Sequence, residues 1–118
     1  MQVQVNTDDN LQGGASLAQW VEREVSGGLS RFSEYLTRVE AHLGDENAGK
    51  SGTADKRCML EARAAGQDPL SVTHLAPSVE EACKGAIRKL RALLDSRFGK
   101  LHDRKGSPSI RDAEEPEE

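Results

Sequence analysis

Aromatic residues are scarce in this chain of 118 residues: Trp20, Phe32, Tyr35 and Phe98 are all it has. No predicted strand displays a pair of them, which argues against the sheet-based proteins that stack unpaired bases on aromatic rings. Cysteine is scarcer. Cys58 and Cys83 are too few for a disulfide scaffold and suit a reducing cytosol. No window approaches the ~20 uncharged apolar residues of a membrane span. The start, Met1 to Asn6, lacks the basic residues and apolar run of a signal peptide. The expectation is a cytoplasmic protein with a single modest core, drawn from 36% hydrophobic and 31% charged residues and monomeric in isolation.

The net charge of −4 at first argues against a nucleic-acid partner, but its distribution matters more. Residues 106–118 set Arg111 against Asp112, Glu114, Glu115, Glu117 and Glu118, a net −4. Residues 84–105 carry eight lysines and arginines against Asp95 and Asp103, a net +6, and residues 1–83 carry −6. The molecule is strongly polarised along its sequence.

Val3 and Val5 alternate with glutamines and predict a short strand over about residues 2–7. After a loop and a plausible cap at Ser16, Leu17, Val21, Val25, Leu29 and Phe32 recur at helical spacing. This predicts a helix that runs through the Gly27-Gly28 pair despite a cost of roughly 1 kcal/mol per glycine. From Thr37 the period becomes two: Val39, Ala41 and Leu43 predict a second strand. Residues 44–54 read as a mobile loop. Cys58, Leu60, Ala62 and Ala64 predict a third strand. A turn at Gly66 to Pro69 leads to a fourth over Leu70–Ala76. Val79 to Leu101 then form one broad apolar stripe over about residues 78–103.

The order is β-α-β-β-β-α, an α+β class. Its four-stranded sheet is expected to start with a right-handed parallel crossover, continue as an antiparallel meander and carry two helices on one face. Residues 106–118 are expected to be a disordered acidic tail to a domain spanning 1–105. No internal repeat is present.

On the last helix, Lys84, Arg88 and Arg91 share one sector at i, i+4 and i+7, opposite the apolar face. His102 continues that sector and Asp95 interrupts it. Lys89, Arg97, Lys100 and Arg104 lie on other sectors, where their stems can snorkel. A solvent-exposed basic ridge of this length suits phosphates contacted across a groove. Without stacking aromatics, backbone and shape would carry any contact with RNA.

Gly44-Asp45-Glu46-Asn47-Ala48-Gly49-Lys50-Ser51 matches the P-loop pattern G-x-x-x-x-G-K-[ST]. That motif needs a helix starting at the lysine and a parallel sheet around it. Here Gly52, Thr53 and Ala54 precede a predicted antiparallel strand, and Asp45 and Glu46 would face the bound anion. The match reads as chance within a flexible hairpin loop. His42, His74, His102 and the two cysteines show no paired ligand spacing, so no metal site is expected. The cysteines fall on predicted buried faces, where a thiol acts as a small apolar group. No Ser, His and Asp can be assigned triad roles. The expectation is a protein that is not an enzyme, with no cofactor and no small-molecule substrate.

The element order, the segment Asp55-Lys56-Arg57-Cys58-Met59-Leu60-Glu61-Ala62-Arg63 and the blocks Ser78-Val79-Glu80-Glu81-Ala82 and Ile87-Arg88-Lys89-Leu90 carry a family resemblance. Over about residues 1–104 the chain resembles the ribosome hibernation promoting factors, also called protein Y, ribosome-associated inhibitors or sigma-54 modulation proteins. The resemblance implies a double-stranded-RNA-binding-like fold on the small ribosomal subunit, in the channel between head and body. Family members there overlap messenger and transfer RNA and silence translation in stress. Their helices touch 16S rRNA through basic residues. Lys89 matches a lysine common to the family's second helix, and Arg88, Arg91, Arg97 and Lys100 lie in the same basic region. Where the first helix often has lysines this chain has Glu24 and Gly28, leaving Arg23 and Arg31. The acidic tail resembles that of the short family members, which lack a C-terminal dimerisation domain. The alternative reading is a protein-interaction or regulatory module on the same fold that has lost ribosome binding, motivated by Glu24, Gly28 and the tail.

Overall fold

Alternating residues of the first strand, β1 (Gln2–Thr7), turn Val3 and Val5 inward while the glutamines stay in solvent. The computed structural model describes residues 1–8, 11, 14–46 and 55–99. After β1 come α1 (Gly14–Gly28), a 3-10 turn (Ser30–Phe32), β2 (Leu36–Asp45), β3 (Lys56–Ala64), β4 (Leu70–Ala76) and α2 (Val79–Leu94). The α+β order read from the sequence is therefore the observed one. The sheet order is β1-β2-β3-β4: β1 runs parallel to β2, and the other neighbours are antiparallel.

The register puts one apolar row across the sheet. Val5 pairs with Ala41, Ala41 with Leu60, and Leu60 with Val72. Because side chains alternate along a strand, the same register sends Val39, Leu43, Cys58 and Ala62 to that face. Val21, Val25 and Leu29 from the α1 region and Ala82, Cys83, Ala86, Leu90 and Leu94 from α2 close over it. Leu29, Leu60, Leu90 and Leu94 are fully buried, and each contributes about 1.5–3 kcal/mol of transfer free energy. The neighbouring Cys83 thiol on α2, together with burial, pushes the Cys58 thiol on β3 well up. Both are free and buried, as the sequence predicts.

Helix α2 begins as its sequence dictates. Ser78 is the N-cap and its Oγ accepts from the Glu81 amide at 3.1 Å. Glu80 and Glu81 occupy the first turn, where the helix dipole favours acid. After Leu94 a single π turn (Asp95–Gly99) brings Phe98 against Tyr35, with ring centroids 4.7 Å apart.

Three expectations need correction. The first helix starts at Gly14, before the expected cap Ser16, and stops at Gly28 instead of running to Phe32. Its end is fixed by the glycine pair and by Ser30, whose Oγ donates to the Gly27 carbonyl at 3.0 Å. The α-helical stretch of α2 ends at Leu94, and residues 100–103 of the expected helix lie outside the described residues, as does the tail 106–118. The loop expected from Gly44 begins later. Gly44 and Asp45 belong to β2, paired with Arg57 and Lys56, because Lys56 binds both Asp45 (3.5 Å) and Asp55 (3.2 Å).

Candidate nucleic-acid interface

The apolar stripe that seats α2 on the sheet fixes the opposite side of the helix in solvent. Lys84, Arg88 and Arg91 are exposed there, in the row their spacing predicts. Helix α1 packs beside α2 and supplies the facing wall: Arg23, Glu24, Gly27 and Gly28. A groove of about 320 Å³ runs between the helices, with Ile87 from α2 at its floor. Gly28 allows this approach. A Cβ there would lie 2.7 Å from Ile87 Cγ2, so a lysine at this position would need Ile87 to move. A second cleft of about 470 Å³ lies on the other side of α2, between Lys84, Arg88 and Glu81 and the end of β4 at His74 to Ala76. Lys84 and Arg88 thus form the ridge between two depressions.

Most cations elsewhere in the described residues are already engaged. Arg38 contacts Glu40 at 3.2 Å and donates to Gln4. Arg63 contacts Glu61 at 3.5 Å, and Arg57 Nε lies 2.5 Å from Glu46 without hydrogen-bond geometry. Lys56 is held between Asp45 and Asp55, and the Asp55 hydrogen bond raises its pKa above the ordinary 10.5. The open face of the sheet therefore carries neutralised charge. Arg23, Lys84, Arg88 and Arg91 make no ion pair or hydrogen bond through their side chains among the described residues. All four line the α1–α2 groove. Gathering four unpaired cations against the single carboxylate of Glu24 raises a local positive potential that an anion with several charges would relieve. Arginine guanidinium groups suit phosphate oxygens by geometry as well as charge.

The eight basic residues expected to contact RNA separate into distinct environments. Arg23, Lys84, Arg88 and Arg91 come together at the groove. Arg31 pairs with Asp95 and lies 4.7 Å over the Phe32 ring. Lys89 donates from Nζ to the Thr73 carbonyl at 2.8 Å, on the edge strand β4. Arg97 donates to Gln67 Oε1 at 3.0 Å. Lys100 lies outside the described residues. Sequence reasoning singled out Glu24 and Gly28 as departures but not as walls of the same groove as Arg88. The signal was present in the spacings Arg23–Gly27 and Glu24–Gly28, each one helical turn.

A scan against protein-family models finds no match, and neither does a search of curated proteins. Solved structures do match. The N-terminal domain of Thermus thermophilus Protein Y aligns with a TM-score of 0.63 at 17% identity, covering 83% of this chain and 99% of that one. The fold is that of the protein Y N-terminal domain. A ribosomal subunit interface protein from Coxiella burnetii aligns equally well, with a TM-score of 0.64 at 11% identity over 84% of this chain and 99% of its own. The backbone therefore agrees with the family resemblance read in the sequence. On the protein Y fold of this chain, the four unpaired cations sit on the helical layer, whereas Arg38, Arg57 and Arg63 on the open sheet face stand beside carboxylates.

The first two residues of the P-loop pattern, Gly44 and Asp45, are strand residues of β2, and β3 begins at Lys56. Residues 47–54 lie outside the described residues. No group of three or more metal-ligating side chains occurs among the described residues. No described helix is long and apolar enough to cross a membrane.

Proposed function

We propose that this chain is a ribosome-associated factor that binds the small subunit through 16S rRNA and inhibits translation by occupying the decoding channel. Its helical layer, not its sheet, meets the RNA. The observation that carries this reading is the collection of Arg23, Lys84, Arg88 and Arg91, unpaired among the described residues, around one groove. The naming of a fold neighbour as a ribosomal subunit interface protein supports the choice of partner. The scarcity of exposed aromatics supports contact through phosphates and shape rather than through stacked bases. Occupancy alone suffices: no bond is made or broken, no cofactor takes part, and the site of action is the cytoplasm.

Co-sedimentation with purified small subunits through a sucrose cushion tests the reading. The chain should pellet with the subunit, less at physiological than at low salt, and initiator transfer RNA should displace it. Arg88→Glu with Arg91→Glu should abolish pelleting with an unchanged circular dichroism spectrum, since both side chains are exposed and engage no other group in the described fold. Binding that survives the double reversal would show that the groove is not the contact. Failure to pellet even at low salt would favour the protein-interaction module instead, a reading to which Glu24 in the groove wall lends its support.

A further inference from the structure

We infer that the acidic segment Asp112 to Glu118 docks on the α1–α2 groove of its own chain and competes there with the polyanion the groove binds. The groove gathers four cations against the single carboxylate of Glu24, and none of the four makes an ion pair among the described residues. The chain itself carries a matching polyanion: five acids among the seven residues 112–118, with no base. Other described lysines and arginines offer no comparable target. Arg38, Arg57 and Arg63 on the open sheet face are engaged by Glu40, Glu46 and Glu61, and Lys56 is engaged by Asp55. Complementarity therefore selects one surface.

Reach is sufficient. Residues 100–111 separate the end of the π turn from Asp112, and twelve residues can extend about 40 Å. Arg88 lies eleven residues before Gly99, a distance of roughly 17 Å along a helix axis. The tether can return to the groove with slack. Tethering also keeps the segment at about millimolar effective concentration, so a weak contact is populated without a strong one being needed. A segment with five acids in seven residues has little apolar surface to bury, so charge must hold it and salt must release it.

The competitor in this inference rests on the function proposed above, whereas the docking does not, and the two are measured separately. Amide NMR spectra of the 118-residue chain are compared with those of a variant carrying Asp112→Asn, Glu114→Gln, Glu115→Gln, Glu117→Gln and Glu118→Gln. Docking predicts shift differences at Arg23 to Gly28 and Lys84 to Arg91 that vanish in high salt and do not change with protein concentration. Differences confined to Lys100, Arg104 and Lys105, differences at β3, or no differences would overturn it. Concentration-dependent differences would place the segment on a second copy and overturn docking within one chain. In the second measurement, small-subunit affinity should rise about tenfold in the neutralised variant at low salt and converge with the parent at high salt. An unchanged affinity alongside groove shifts would remove the competition but leave the docking. No subunit binding by either protein alongside groove shifts would count against the proposed function only.

Discussion

Gly85 lies in the interior of α2, where alanine would ordinarily be worth up to about 1 kcal/mol more than glycine. Here the sign reverses. A Cβ at Gly85 would run into the His74 ring on β4, whereas one at Gly27 on α1 would meet nothing within 4 Å. Gly85→Ala should therefore destabilise the fold by about 1–2 kcal/mol, overpacking outweighing propensity. Gly27→Ala should stabilise it by about 0.5–1 kcal/mol. Urea denaturation of both variants checks the pair, and adding His74→Ala to Gly85→Ala should recover most of the loss. If the His74→Ala change brings no recovery, the contact between α2 and β4 is not what Gly85 provides.

At the scale of the element, Lys56 closes the β2–β3 hairpin by reaching Asp45 and Asp55, and the Asp55 hydrogen bond is the largest cause of its raised pKa. A raised lysine pKa means that the folded state binds the proton more tightly than the unfolded chain. Its stabilisation is fully present below the ordinary value of 10.5 and is lost as pH climbs through the higher folded-state value. Lys56→Gln should lower the melting temperature by a constant amount from about pH 6 to pH 9. The gap to the parent should then close in the alkaline range above 10.5. A gap that persists there would mean that the loss is steric.

The strands themselves were legible in the sequence because one buried face imposes a strict period of two. Val39, Ala41 and Leu43 announced β2, and Cys58, Leu60 and Ala62 announced β3. Helix ends were less legible. The apolar period continues through Gly27-Gly28 to Leu29 and Phe32, but the reason for Gly28 is the approach of Ile87 from another helix, which no local pattern contains. The extension of β2 through Asp45 likewise depends on a lysine eleven residues later.

For the molecule as a whole, the deciding quantity is which charges remain uncompensated after folding. Sequence spacing predicted the row Lys84, Arg88 and Arg91, and the pairs Arg38–Glu40 and Arg63–Glu61 lie two residues apart on one strand face. The pairing of Arg31 with Asp95 and the joining of Arg23 to the row came only with the packing of α1 against α2. This partition makes a distinct prediction about salt. Each phosphate neutralised by an unpaired cation releases counterions and adds about one unit to the slope of log affinity against log salt. Arg88→Gln should weaken binding to the small subunit and lower that slope by about one. Arg63→Gln removes the same formal charge, but from a side chain already beside Glu61, so its slope should match the parent's. Equal slope changes in the two variants would mean that net charge, rather than the groove, governs binding. The compared slopes can be read from co-sedimentation at several salt concentrations, with circular dichroism confirming that each variant is folded.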